Sequence, residues 1–389
     1  MSDTDTSAAI AAERPDFVAT DFADLPAWAI DDHLAAFHTF CRTAERAVAE
    51  PFKTRALGTD GDILAAIGRL ALSANITTQA NARAFFEEHF DPLKLRVKAG
   101  GHLTGYYEPV VEASWAKTNK HIFPLLNRPP DLVDLTDDNR PPDMAAHIRF
   151  GRRTLDGSIT EYWDRAAIEG DGGHNGVLAD QGLELAWVED PMDAYFIHIQ
   201  GSARLAMTDG TQVRITYAAK SGHDYSSIGK ALLAAGELAQ DDLTMVSLRR
   251  WFIENADRRT DITWRNRSYI FFEQVQIEDP ALGPIAAAKV SLTPGRSLAV
   301  DRTLHTYGTP VYVVADASED VLGGSVARLL IAQDTGSAIV GPARGDLFIG
   351  TGDQAGLTAG AINCAADFYI LRPKMSSRQP SGLLAGADG

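Results

Sequence analysis

Apolar residues after Asp31 recur at Leu34, Phe37, Phe40, Cys41, Ala44 and Val48, which is the spacing of one helix face, with Asp31 as the expected N-cap. Ile63, Leu64, Ile67 and Leu70 mark a second helix. Thr78 is placed to cap a third, running through Phe85 and Phe86 and ending at Asp91 and Pro92, because the residue before a proline avoids helical angles. From Leu93 the pattern changes to period two. The stretch LKLRVKAGGHLTGYYEPVVEAS, residues 93–114, alternates apolar and polar residues around a glycine pair and predicts a β-hairpin. Residues 123–145 carry Pro124, Pro129, Pro130, Pro141 and Pro142 and predict a loop.

Strand patterns return at LELAWVEDP (183–191), AYFIHIQGSARLAM (194–207) and TQVRITYAA (211–219), the last two joined by a tight turn at Asp209 and Gly210. Ser226 or Ser227 then caps a helix that stops at Gly236, and Met245, Leu248 and Phe252 share a face of another helix over about 241–255. After Arg265 the chain is β again: SYIFFEQVQ, short strands at 286–292, 298–301, 310–315 and 327–333, and YILRP at 369–373, with a Gly-rich stretch at 336–360. Short strands with glycine turns favour a closed barrel over a doubly wound sheet. The residues after Met375 are rich in Ser and Gly, and 376–389 is expected to be a disordered tail.

Composition narrows the function. The 389 residues are 45% hydrophobic and 23% charged, an ordinary globular balance that allows two or three domains. The net charge of −16, with no run of Lys and Arg, argues against nucleic acid and anionic lipid as partners and fits a neutral or zwitterionic glycan. Two cysteines, Cys41 and Cys364, exclude a disulfide-built scaffold, and Cys41 reads as a small buried hydrophobe. The ten histidines form no HExxH or similar pair, and neither a GxGxxG after a strand nor a Walker loop is present, so no metal and no cofactor is expected. Met1 to Asp16 lacks a basic n-region, an apolar h-region and a lipid-bearing cysteine, and no stretch of the sequence is apolar enough to span a bilayer. The chain as written is therefore expected to be soluble, without an address or a transmembrane segment. A monomer is the default, although nothing in the sequence fixes the oligomeric state.

Three aspartates stand where apolar or Gly-containing runs end: Asp301 in LAVDRTL, Asp334 in IAQDTGSAIVG and Asp346 in ARGDLFIGTG. An acid at a strand end can project into a cleft while the sheet fixes its position. Aspartates also cap turns, and spacing alone leaves that alternative open.

Taken together, the ordered blocks resemble the membrane-bound lytic transglycosylase A (MltA) family with its C-terminal three-aspartate (3D) domain. They are LTGYYEP, LNRPPDLVDL, LELAWVEDPMDAYFIHIQGSARL, AAKSGHDYSSIGKAL, NRSYIFFEQ and AVD…QDTGSAIVG…RGDLFIGTGDQAG, over roughly residues 90–375. The resemblance implies a mainly β fold with N-terminal helices. A double-psi β-barrel domain, 1–109 plus 265–375, would carry an inserted second small β domain, 110–264, with a substrate groove between them. It implies Asp346 as the catalytic acid, with Asp334 and Asp301 as the other signature aspartates, structural or tuning the acid. Its chemistry is cleavage of the MurNAc–GlcNAc β-1,4 bond of peptidoglycan with formation of a 1,6-anhydro-MurNAc end, in the periplasm, possibly at the outer membrane. The sugar's own C6 hydroxyl replaces water, so one Asp serves as acid and then as base. That acid must hold its proton near neutral pH, above the ordinary Asp value of about 3.9.

Thr104, Tyr106 and Tyr107 suit a sugar groove, since rings stack on pyranose faces and hydroxyls bond sugar oxygens, although strand core and turn would also account for them. Gln200, Gly201 and Ser202 follow the FIHIQ run, and Tyr225 and Lys230 lie near a helix start, where a cap and a surface lysine are equally natural. Departures from the family pattern are Ser337 for a second glycine, Val340 where lysine is common and Ala203 in place of the glycine of QGSG; none removes an aspartate. Two alternatives stay open. One is a glycoside hydrolase in which Glu108 or Asp353 activates water, although Glu108 reads first as structural or peripheral; the other is a non-catalytic glycan-binding protein.

Overall fold

The computed structural model describes residues 16–239, 245–316 and 325–374. The polar N-terminal stretch read for targeting signals and the tail 376–389 fall almost wholly outside them. The chain divides into two compact units. One comprises Met1–Gly105, Ile285–Phe348 and Ile362–Gly389; the other comprises Tyr106–Pro284 and Ile349–Ala361.

In the first unit, three helices cover a sheet. His33–Ala49 is capped by Asp32, not Asp31: the Asp32 carboxylate accepts from Ala35 N at 3.0 Å. Asp31 instead pairs with the buried Arg296 guanidinium through both oxygens, at 2.8 and 3.0 Å. Gly61–Ser73 is capped by Asp60 and Gln79–His89 by Thr78. The third helix ends one residue before Phe90, and the chain passes straight into the strand Phe90–Arg96 through Pro92. The apolar faces predicted for these helices meet Tyr312, Leu329, Ile331 and Leu371 of the sheet through Phe37, Phe40, Ile67, Phe85 and Phe86. Each such side chain contributes about 1.5–3 kcal/mol when fully buried. Cys41 lies at the margin of this core, half-buried, and burial pushes its thiol up to about 11.

The sheet has eight strands in the order Asp16–Ala19, Phe90–Arg96, Asn363–Pro373, Pro310–Asp316, Ser325–Asp334, Ser297–Val300, Arg344–Thr351 and His102–Glu108. The expectation of a mainly β chain built on a double-psi barrel is corrected here. The fold is mixed α and β, and this sheet is not closed into a barrel: among the described residues Asp16–Ala19 pairs on one side only, and the sheet forks at Asn363–Pro373. That long strand pairs with His102–Glu108 at its start, Asn363 opposite Thr104 and Ala365 opposite His102, and with Phe90–Arg96 at its end. The predicted hairpin over 93–114 is also corrected, because its two arms pair with this distant strand and not with each other. Residues 336–360, left without elements, hold the strand Arg344–Thr351 and the helix Asp353–Ala361.

The second unit has a six-stranded sheet in the order Ile270–Val275, Gln212–Lys220, Ser202–Met207, Val110–Ser114, Glu184–Val188 and Phe123–Leu126, and a three-stranded one, Leu132–Asp134, Phe150–Arg153 and Ile159–Thr160. The proline-rich loop thus contains two short strands. The stretch 194–200, expected as strand, is helical: Pro191–Gln200 starts at the N-cap Asp190 with Pro191 in its first turn. It ends at Gly201, whose φ of 75° is the left-handed conformation a helix C-cap requires. Met192, Tyr195, Phe196, Ile197 and His198 are all buried, so the helix lacks the polar face that would have revealed its period. Tyr195, Phe196, Leu232, Trp251 and Phe252 form the core beneath it.

Candidate active site

The first unit gathers Asp346, Thr104, Arg344, Asp334 and Asp301. Asp346 lies in Arg344–Thr351, paired with Ala299 of the neighbouring strand. Gly345 before it lets the strand lie against Phe368 and Leu298: a Cβ there would meet their ring and methyl carbons at 2.8 and 2.9 Å. Thr104 Oγ1 donates to Asp346 Oδ1 at 2.6 Å, and Arg344 Nη2 donates to Thr104 Oγ1 at 2.8 Å. Burial is the largest influence on the Asp346 carboxyl and raises its pKa. Arg344 and the Thr104 hydrogen bond oppose this, and repulsion from Asp334 adds a smaller upward push; the net shift is upward.

Asp334 ends the strand Ser325–Asp334 and accepts from Ala287 N at 3.2 Å. Its position is fixed by the residue before it. Gln333 is fully buried and donates to Thr43 Oγ1 at 2.7 Å and Thr39 O at 3.2 Å on the first helix, while Ser297 donates to its amide oxygen. Asp301 is buried and saturated: Oδ1 accepts from Thr303 N at 2.9 Å and Thr303 Oγ1 at 2.6 Å, and Oδ2 from Gly341 N at 2.9 Å. It clamps the loop that leads into Arg344. His305 adds a second clamp, donating from Nε2 to Pro342 O at 2.8 Å, and burial brings its pKa down to about 4, so the imidazole stays neutral. Asp346 and Asp334 are near enough to repel each other, while Asp301 is committed to holding backbone.

The remaining candidates lie in the second unit. Tyr107 is half-buried, its amide N donates to Gln200 Oε1 at 3.4 Å, and its ring lies against Gly356, where a Cβ would come within 2.8 Å. Burial raises its phenol, and Arg249 bonds it. Tyr106 is half-buried too. Gly201 is the helix cap already described, and Ser202 is buried in strand pairing opposite Thr216. Burial raises the Tyr225 phenol, opposed by a hydrogen bond with Ser227, and Lys230 is exposed. His198 is buried against Arg165, donor and ring nitrogen 3.0 Å apart, and His223 Nε2 donates to Tyr162 O at 2.8 Å, so neither is part of a triad.

Glu108 is fully buried and fully engaged. Arg214 Nε reaches Oε1 at 2.5 Å; Arg204 Nε, Arg214 Nη2 and Thr351 Oγ1 reach Oε2 at 2.9, 3.0 and 2.8 Å. The two arginines also bind the carbonyls of Pro280 and Leu282. A carboxylate with its lone pairs held by two guanidinium groups cannot activate water. Asp353 is exposed at the start of its helix.

Sequence reasoning missed Arg344 and Gln333. Neither carries a signal except its place beside a signature aspartate. Among the described residues, no group of three or more His, Cys, Asp or Glu could hold a metal ion.

The site thus centres on a half-buried carboxyl, Asp346, whose pKa is raised and whose Oδ1 is held by the Thr104 hydroxyl. Two family signatures match the chain, the MltA specific insert domain over residues 102–273 and the 3D domain over 296–372. A membrane-bound lytic murein transglycosylase from Agrobacterium tumefaciens has the same fold at a TM-score of 0.85 and 40% identity, covering 93% of this chain and 98% of that one. MltA from Neisseria gonorrhoeae follows at 0.72 and 28%, covering 92% and 93%. The membrane-bound lytic murein transglycosylase A of Escherichia coli K12 is 29% identical over 274 residues, 69% of this chain; the match spans 65% of that protein's length. The chain belongs to the membrane-bound lytic murein transglycosylase A family.

Proposed function

We propose that this chain is a peptidoglycan lytic transglycosylase that cleaves the MurNAc–GlcNAc β-1,4 bond with Asp346 as its only acid and base. The observation that carries the reading is the Asp346 carboxyl, whose pKa burial raises and whose Oδ1 is held by Thr104. Asp346 gives its proton to the glycosidic oxygen as the bond to C1 breaks and the sugar becomes oxocarbenium-like. The MurNAc C6 hydroxyl then attacks C1, and the Asp346 carboxylate takes the hydroxyl proton. The acid is restored, and no water enters. The commitment of Glu108 to two arginines speaks against the hydrolytic alternative that would use it as a base.

Tyr106, Tyr107, Gln200, Gly201, Ser202 and Tyr225 are proposed to contact sugar on their chemistry alone. Thr104 belongs to the acid's own hydrogen bond. The insert, residues 110–264, is proposed to bind glycan. A peptidoglycan substrate supports a periplasmic place of work for the chain. No helix of the described residues is long and apolar enough to cross a membrane.

Digestion of purified sacculi in water enriched in oxygen-18 tests the reading. Soluble fragments should appear without label in their new ends, and labelled ends would mean hydrolysis.

Asp334 supplies a finer check. Its charge adds to the upward shift of Asp346, so Asp334→Asn should lower the Asp346 pKa and move the basic limb of the pH–rate profile to lower pH. The displacement should be small, because burial is the larger cause. An unmoved limb would leave Asp334 as a backbone anchor for Ala287.

A further inference from the structure

We propose that Arg344 is a positioning residue: by donating to Thr104 it turns the Thr104 hydroxyl onto Oδ1 of Asp346 and so confines the acid proton of Asp346 to Oδ2. The catalytic meaning of this relay rests on the lytic transglycosylase reading, while its hydrogen-bond direction does not. A guanidinium has donors and no acceptor, so the contact of Arg344 Nη2 with Thr104 Oγ1 at 2.8 Å runs one way. It leaves the hydroxyl hydrogen of Thr104 free to point at Asp346 and makes the hydroxyl oxygen a poorer acceptor for an acid proton. The 2.6 Å contact from Thr104 to Oδ1 is then a donation to the carboxyl, and the proton that a neutral Asp346 carries belongs on the other oxygen. Arg344 is itself held in place, since its Nη1 donates to the carbonyl of Gly345.

The charged and titratable groups facing Asp346 are few. Arg344 lies on its own strand and Asp334 at the end of the strand Ser325–Asp334. Thr104, on His102–Glu108, and Ala299, the paired residue on Ser297–Val300, carry no charge. Burial favours the protonated form of Asp346 before reaction. When the proton leaves Oδ2, the negative charge appears on a carboxylate whose Oδ1 already receives a hydrogen bond strengthened by a cation. In the proposed reaction Oδ2, the oxygen that gave the acid proton, is also the one that collects the C6 hydroxyl proton. Without the relay the proton could sit on either oxygen, and the half-buried carboxylate formed in the first step would lose its stabilising partner.

The test follows the Asp346 carboxyl carbon by 13C NMR against pH in the substrate-free protein, so that it stands apart from any assay of turnover. Arg344→Met should raise the Asp346 pKa by about one unit, the lower end of the effect of a nearby opposite charge. Thr104→Val, which removes only the donor, should shift it in the same direction, and Arg344→Lys should restore part of the wild-type value. In turnover, the basic limb of the profile should rise with the carboxyl pKa while the plateau rate falls about tenfold, with KM little changed. An Asp346 titration unmoved in folded Arg344→Met would overturn the proposal. Should that variant not fold, an unmoved titration in Thr104→Val would do so. A wild-type protein that shows these shifts between variants yet turns over no glycan would refute the proposed function and leave the relay standing.

Discussion

Asp346→Asn is expected to lose at least about a thousandfold of activity on purified sacculi. General acid catalysis contributes roughly 10²–10⁴-fold, and in the proposed reaction one residue covers both proton transfers. Asn keeps the size of the side chain and can accept from Thr104, but it has no acidic proton to give. The same variant should be more stable than wild type at neutral pH. Because the folded-state pKa of Asp346 is raised, the wild-type fold loses stability as pH climbs from the unfolded-state value, about 3.9, towards the folded-state one. Asn removes that penalty. The gain in melting temperature should therefore vanish below the ordinary Asp range, where Asp346 is protonated in both states. A variant that kept a tenth of wild-type turnover would show that Asp346 is not the acid.

Glu108→Gln is expected to be a folding defect. Both arginines that bind Glu108 are nearly inaccessible, so the substitution leaves two buried guanidinium groups without their counter-charge. Breaking one side of a buried ion pair costs about 3–5 kcal/mol, which corresponds to a fall of roughly 10 °C in melting temperature for a unit of this size. Urea unfolding with a probe in the second unit, such as Trp251, would measure it. The distinguishing result is a ratio: activity per folded molecule should stay close to wild type. A well-folded Glu108→Gln protein with activity lost would revive the reading of Glu108 as a water-activating base.

The sequence displayed what is local. Helix faces with a polar side, such as Leu34 to Val48, could be read because burial on one side writes a period of 3.6. The turn at Asp209 and Gly210 could be read because it is local chemistry, and its strands do pair. The helix Pro191–Gln200 could not, since four buried residues in a row, Tyr195 to His198, blur the period. The hairpin over 93–114 failed for another reason: alternation marks a strand but does not name its partner, and the partner lies more than 250 residues away. The expected barrel failed at the same level. Whether a set of strands closes depends on which edges meet, and no single strand's pattern contains that. At the site, the aspartates announced themselves by residue type and surroundings. The arginine two positions before Asp346 did not, because its role depends on Thr104, 240 residues away in the chain.

In the proposed reaction an intramolecular hydroxyl, and not water, attacks C1 and closes the ring. Mass spectrometry of the fragments released from sacculi by the wild-type protein tests it most directly. The account predicts MurNAc ends lighter by one water than a hydrolytic product and resistant to borohydride reduction, as a 1,6-anhydro ring must be. Full-mass, reducible MurNAc ends as the main product would contradict it.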